Sequence, residues 1–243
     1  MIGFYDYTVI LTYLSLLSSI FGMTQAIDGH FRTAILCLAF SGLCDMFDGK
    51  VARRKTERTD DEKLFGLQID SLVDVVAFGV FPIMICYLLG VNSTFGQLAL
   101  GYYGICSVIR LAFFNVLETN RQREESGANK YYHGLPITSI AILLPLTFLL
   151  SFIIPDNIFV LVLHALPLVV GTLFIVDFQL KKPGNGTLAL IVVIVTIAVV
   201  VIALYSRFPI SKRQPNDKPL LERLERWEEE YQNNKTLNNT ENN

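Results

Sequence analysis

The chain has 243 residues, 52% of them hydrophobic and 17% charged, a balance too apolar for an ordinary soluble domain. Its net charge of −2 carries no basic excess of the kind that binds polyanions, so no nucleic-acid partner is expected. Four cysteines, Cys37, Cys44, Cys86 and Cys106, are scattered through apolar blocks without CxxC pairing; neither a zinc site nor a disulfide framework is indicated, and they read as small core residues.

A helix needs about 20 mostly apolar residues to cross a bilayer. Seven blocks are candidates: residues 7–26, 33–47, 66–89, 95–116, 136–154, 158–176 and 187–205, the second short and polar at its end. No Lys or Arg precedes the first block, the earliest basic residue being Arg32, so that block lacks the positive start of a secretory signal and is expected to remain as a span. Basic residues gather at Lys50, Arg53, Arg54, Lys55, Arg58 and Lys63, at Arg121, Arg123 and Lys130, and at Lys181 and Lys182. The positive-inside rule places those loops in the cytoplasm, and the turns 90–94 and 155–157, without a basic residue, outside. Arg207, Lys212 and Arg213 follow the seventh block and run against this scheme.

The predicted fold is therefore all-α, a polytopic membrane helical bundle with a six-helix core over residues 1–180 and a seventh span over 181–206. Pro82, Pro145 and Pro167 read as kinks. Residues 207–243 form a hydrophilic tail, in which Leu220, Leu221, Leu224 and Trp227 recur at helical spacing and predict a short amphipathic helix. The Asn-rich end is expected to be disordered.

Four carboxylates break the apolar pattern. Asp45 and Asp48, with Ala52, are spaced by three and four residues, and Gly66, Asp70 and Asp74 by four and four. At about 100° per residue each set falls on one helix face, the first within an arc of about 60°. With the second span running inward and the third outward, all four aspartates lie near the cytoplasmic boundary and can meet. A single aspartate there is ordinarily a solvated cap, but four in register are costly and point to function. Cations must neutralise them, and oxygen-only ligands favour Mg²⁺ or Mn²⁺ over zinc. A site with two such ions, built for phosphoryl transfer, follows. An ion-coupled transporter also uses intramembrane carboxylates, but it calls for inverted repeats and discontinuous helices, which the sequence does not display.

The string Asp45-x-x-Asp48-Gly49-x-x-Ala52-Arg53, followed by Gly66-x-x-x-Asp70-x-x-x-Asp74, resembles the signature of the CDP-alcohol phosphatidyltransferase family. The resemblance implies that Asp45, Asp48 and Asp70 hold the metals, with Asp74 contributing to the second metal and acting as base. It implies that Gly49, Ala52 and Gly66 make room for the CDP headgroup and that Arg53 positions it. Twelve residues separate Arg53 from Gly66, a longer link than the family usually carries, and residues 54–63 read as an extended loop. The strings DSLVDVVAFGVFP, RLAFFNV and YYHGLP are similar to those of the membrane-embedded phosphatidylserine synthases within that family, although Phe113 stands where their RLARFN motif has arginine.

This likeness implies CDP-diacylglycerol and L-serine as substrates, membrane lipid as the medium, and a homodimer as a form common among relatives. Glycerol 3-phosphate or inositol as acceptor, or an archaeal lipid as donor, are the neighbouring readings. Arg110 lies about two turns inside the end of an apolar span, at the estimated depth of the aspartates, and is expected to bind an anion. A zwitterionic acceptor needs such a cation for its carboxylate. Arg110 is the first choice, Asn115 can add polar contacts, and Lys130 is the second choice. His133 reads as an interfacial loop residue, His30 and His164, on the opposite side, as structural or lipid-facing.

Overall fold

The computed structural model describes Gly3 and residues 9–52, 59–123, 131–181 and 184–204. The chain divides into two units, Met1–Phe208 and Pro209–Asn243, and every described residue lies in the first. The predicted tail, like Arg53 and Lys130, falls outside the described residues.

In chain order the helices are α1 (Ile10–Ile27), α2 (Phe31–Ala52), α3 (Asp60–Asp74), a π-helical segment (Val75–Val80), α4 (Phe81–Leu88), α5 (Thr94–Arg123), a 3₁₀ turn (Ile137–Ser139), α6 (Ile140–Leu150), α7 (Asp156–Ile175) and α8 (Asn185–Leu204). Four stretches are long and apolar enough to cross a membrane: Ile10–Ile27, Asp60–Leu88, Thr94–Arg121 and Asp156–Ile175. The other three predicted spans are helices as well. The second, α2, reaches 22 residues and carries its aspartates in its final turns; Ile137–Leu150 and Leu190–Leu204 are shorter apolar helices. The all-α membrane bundle is thus the observed architecture.

The third span begins earlier than its apolar pattern. Thr59 accepts a hydrogen bond from the Glu62 amide while the Glu62 carboxylate accepts one from the Thr59 amide, a reciprocal capping box. Asp60, Asp61 and Glu62 fill the first turn, where the positive end of the helix dipole favours carboxylates. Residues 60–63, expected in an extended loop, are therefore helical, and the polar link is shorter than it looks.

Further along, Pro82 lacks the N–H that would bond the Phe78 carbonyl in a regular helix. The chain accommodates this with the π segment, in which the Phe81 amide reaches back to the Val76 carbonyl. The Tyr103 hydroxyl, from α5, donates to the orphaned Phe78 oxygen at 2.6 Å. A buried polar group is thus satisfied across two helices, which fixes α5 against the end of the third span.

The α1–α2 seam is polar and closely packed. Ser41 Oγ donates to the Ser15 carbonyl at 3.0 Å, Ser19 Oγ and Ser41 Oγ lie 3.0 Å apart, and Ser18 Oγ donates to the Cys37 carbonyl at 3.0 Å. Small residues and interhelical hydroxyl bonds are the means by which helices associate in lipid. Elsewhere α5 packs on α7, where the rings of Tyr103 and Phe174 lie 5.6 Å apart. Helix α8 packs on α2 and α6, burying Val195, Ala198 and Ile202. All four cysteines are free thiols.

One small element has no counterpart in the helical pattern. Strands β1 (Tyr131–His133) and β2 (Gln179–Lys181) pair antiparallel, with Tyr131 opposite Lys181 and His133 opposite Gln179. This ladder ties the chain entering α6 to the chain leaving α7.

Candidate active site

Helix α2 carries Asp45 and Asp48, and the last residue of α3 is Asp74, one turn beyond Asp70. One carboxylate oxygen from each of Asp45, Asp70 and Asp74 lies within 4.8 Å of the others. Asp45 and Asp74 are side-chain neighbours, and so are Asp48 and Asp70. Asp48 and Asp74 are each only 8% exposed. The backbone N–H of Gly49 donates to Asp48 Oδ1, which turns that carboxylate and leaves Gly49 itself exposed.

Two unit charges at such a separation repel by about 3–4 kcal/mol at an effective dielectric of about 20. A trio of ionised carboxylates therefore carries on the order of 10 kcal/mol of mutual repulsion, and cations have to offset it. The cluster consists of carboxylates alone, the donor chemistry of Mg²⁺ or Mn²⁺. By geometry and chemistry the residues present fit divalent metal.

A third wall comes from the segment before α6. Gly134 adopts φ 73° and lies against the end of α7, where a Cβ would stand 3.0 Å from the Val176 carbonyl oxygen and 3.2 Å from that of Phe174. The Gly134 N–H donates to the Phe178 carbonyl at 2.8 Å and the Leu135 N–H to the Leu173 carbonyl at 3.0 Å, satisfying a carbonyl that the helix end leaves open. Arg110 is 5% exposed, and its Nε donates to the Leu135 carbonyl at 2.8 Å. The chain then enters the 3₁₀ turn, which brings Thr138 beside Asp45.

Several sequence-predicted residues converge here. Asn115 is joined to the aspartate helix through Ser71, whose Oγ donates to Asn115 Oδ1 at 2.7 Å. Ser71 itself lies between Asp70 and Asp74. Arg110 meets the third wall through a backbone carbonyl. Gly66 is half-buried on α3, Gly49 is exposed, and Ala52 ends α2. Phe113 faces outward and is 47% exposed, so the arginine it replaces would project from the outer surface of α5. His133 Nδ1 lies 3.0 Å from Asp177 Oδ1 beside the β ladder. His164 bonds Ser93 and the Val160 carbonyl at the opposite end of the bundle. Ser71 and Thr138 were not singled out from the sequence. Ser71 had a signal, since it is the residue after Asp70 and faces α5, whereas Thr138 had none beyond its closeness to the Gly134-Leu135-Pro136 turn.

A bundle of apolar helices around a buried carboxylate cluster defines an integral membrane protein with a metal-type site. The family model described as CDP-alcohol phosphatidyltransferase matches residues 7–173, and the chain belongs to that family. Family members generally depend on divalent metal. A Saccharomyces cerevisiae protein named CDP-diacylglycerol–serine O-phosphatidyltransferase is 37% identical over 110 residues, 44% of this chain and 38% of the relative. An archaetidylserine synthase from Methanothermobacter thermautotrophicus is 33% identical over 144 residues, 59% of this chain and 58% of the relative. A Helicobacter pylori protein with the same name as the yeast one is 36% identical over 125 residues, 50% of this chain and 48% of the relative. The matched stretches thus span less than two thirds of each relative's own length.

Proposed function

We propose that the chain transfers the phosphatidyl group of a CDP-activated lipid to the hydroxyl of L-serine, giving phosphatidylserine and CMP. The observation that carries this reading is the convergence of Asp45, Asp70 and Asp74 within 4.8 Å, from two helices that bear the family's signature. In this reading Asp45, Asp48 and Asp70 hold two Mg²⁺ or Mn²⁺ ions, with Asp74 also contributing to the second. When bound, the ions neutralise the pyrophosphate and the charge that develops during in-line displacement.

The chain's own residues do the rest. Gly49, Ala52 and Gly66 leave space for the CDP headgroup, and Arg53 positions it. Asp74 accepts the proton of the serine hydroxyl as that oxygen attacks the phosphorus bearing the lipid. The bond from that phosphorus to the bridging oxygen breaks, and CMP leaves with the electron pair.

The acceptor is argued from charge. Serine brings a carboxylate into a buried site and needs a fixed cation separate from the ions on the pyrophosphate. The burial of Arg110 supports this role, and its bond to the Leu135 carbonyl orients the guanidinium. In this reading Asn115, which bonds Ser71 on the aspartate helix, adds a polar contact, and Lys130 is the second choice of cation. Serine appears in the names of all three relatives above, whether the lipid is diacylglycerol or archaeal. The positive-inside rule applied to the basic loops supports a site that faces the cytoplasm.

The test offers purified protein a CDP-lipid, Mg²⁺ or Mn²⁺, and serine, glycerol 3-phosphate and inositol side by side. Phosphatidylserine should be the dominant product, and Arg110→Gln should lower kcat/KM for serine at least about tenfold. A phosphatidylglycerophosphate or phosphatidylinositol product would overturn the serine assignment and leave the metal site standing.

A further inference from the structure

We infer that Thr138 is a positioning residue of the aspartate cluster: its hydroxyl holds the Asp45 carboxylate in the orientation from which it binds metal. The inference rests on the reading of the cluster as a divalent-cation site.

Asp45 projects from α2 about two turns before its end, and an aspartate side chain on a helix has more than one rotamer available to it. Convergence on Asp70 and Asp74 needs one of them. The 3₁₀ turn packs against α2 and brings the Thr138 side chain to Asp45, and a hydroxyl donating to one carboxylate oxygen selects a rotamer and leaves the other oxygen for a cation. Threonine suits the task because its β-branch stiffens χ1.

The surroundings of Thr138 are more constrained than a connecting turn requires. The Gly134 and Leu135 amides are spent on carbonyls of the α7 end, the Leu135 carbonyl receives Arg110 Nε, and the Ser139 amide returns to the Pro136 carbonyl at 3.1 Å. Anchors from α5 and from the end of α7 thus fix a short stretch of chain directly before Thr138. The next hydroxyl, Ser139 Oγ, is buried without a hydrogen-bond partner among the described residues. Buried hydroxyls are nearly always bonded when they serve only the fold, so this turn carries polar atoms beyond what its own folding uses.

Outer hydrogen bonds of this kind are worth about 10–100-fold in metal affinity. The experiment measures Mn²⁺ binding to the full-length protein in detergent, by electron paramagnetic resonance, for wild type, Thr138→Ser, Thr138→Cys and Thr138→Val. The Mn²⁺ Kd should follow the strength of the donor: Ser close to wild type, Cys weaker, and Val raised about 10–100-fold. The Mn²⁺ concentration giving half-maximal activity should move in the same order. If affinity instead follows shape, with Val like wild type and Ser weakened, or if the series is flat, the inference is wrong. Should the Val variant not fold, the Ser and Cys variants still decide, because they share a shape and differ as donors. Wild-type protein that binds no Mn²⁺ overturns the cation site itself, an outcome separate from any ranking of the variants.

Discussion

Replacing Gly134 by alanine tests whether the third wall is held as rigidly as its bonding implies. At φ 73° a residue with a Cβ pays about 1–2 kcal/mol in the left-handed region. The new methyl would also meet the carbonyl oxygens of Val176 and Phe174 at 3.0 and 3.2 Å, atoms of backbone that cannot rotate away. Relief requires the segment to lift from the α7 end, which breaks the bonds from the Gly134 and Leu135 amides. At about 0.5–1.5 kcal/mol for each, the total is roughly 2–5 kcal/mol. The sensitivity is about 2–4 °C per kcal/mol for a domain of this size, so the thermal midpoint should fall by roughly 4–20 °C. Thermal unfolding of detergent-purified protein reads this, and Mn²⁺ affinity should fall with it because Thr138 moves away from Asp45. Gly101→Ala is the control, since a Cβ there meets nothing within 4 Å and alanine favours a helix by about 1 kcal/mol. A Gly134→Ala protein with the midpoint and Mn²⁺ affinity of wild type would refute the argument.

Asp45→Asn, Asp48→Asn and Asp70→Asn should each remove nearly all turnover while leaving the protein folded, and excess chelator should do the same to wild type; full activity in chelator would sink the metal reading. Asp74→Asn keeps the shape of the side chain and loses the base, so kcat should fall by about 10² to 10⁴ with little change in CDP-lipid affinity. A defect in Asp74→Asn that excess metal rescues would make that residue a ligand only. Ser41→Ala removes the bond that Ser41 Oγ donates to the Ser15 carbonyl and the one it accepts from Ser19 Oγ. At about 0.6 kcal/mol for each such bond in membrane proteins, unfolding in mixed micelles should show a loss of about 1 kcal/mol with turnover per folded molecule unchanged; a neutral result would mean that the Ser41 hydroxyl adds nothing to the seam.

The aspartate site was legible because its signal is local. Asp45 and Asp48, and Asp70 and Asp74, keep helical spacing within one element each, and antiparallel neighbouring spans bring both stripes to the same depth. Arg110 was legible for a similar reason, as a charge in an apolar block. The start of α3 also had a signal, the Thr59-x-x-Glu62 pattern of a capping box, which the surrounding run of charged residues obscured. The π segment follows from Pro82, yet its existence depends on Tyr103 being at hand to take the Phe78 carbonyl. The β ladder joins three-residue strands far apart in the chain, too short to impose a period on the sequence. The neighbourhood of Thr138 and Asp45 exists only once α2 and α6 pack.

The shortness of α6 bears on how reactants would reach one another in the proposed transfer. Its 11 residues span about 16 Å at about 1.5 Å per residue, against a hydrocarbon layer of about 30 Å. Irregular or 3₁₀ backbone adjoins the helix at both ends, and at one of them the turn that begins it stands beside Asp45, seven residues before the end of α2 at Ala52. Irregular backbone at that level is tolerated where protein covers it or a hollow admits water. The irregular stretch that leads into α6 thus lies at the level of the carboxylates. In the proposed transfer, a water-borne alcohol and a lipid, which share no common solvent, would meet at that level, without the first entering oil or the second leaving it.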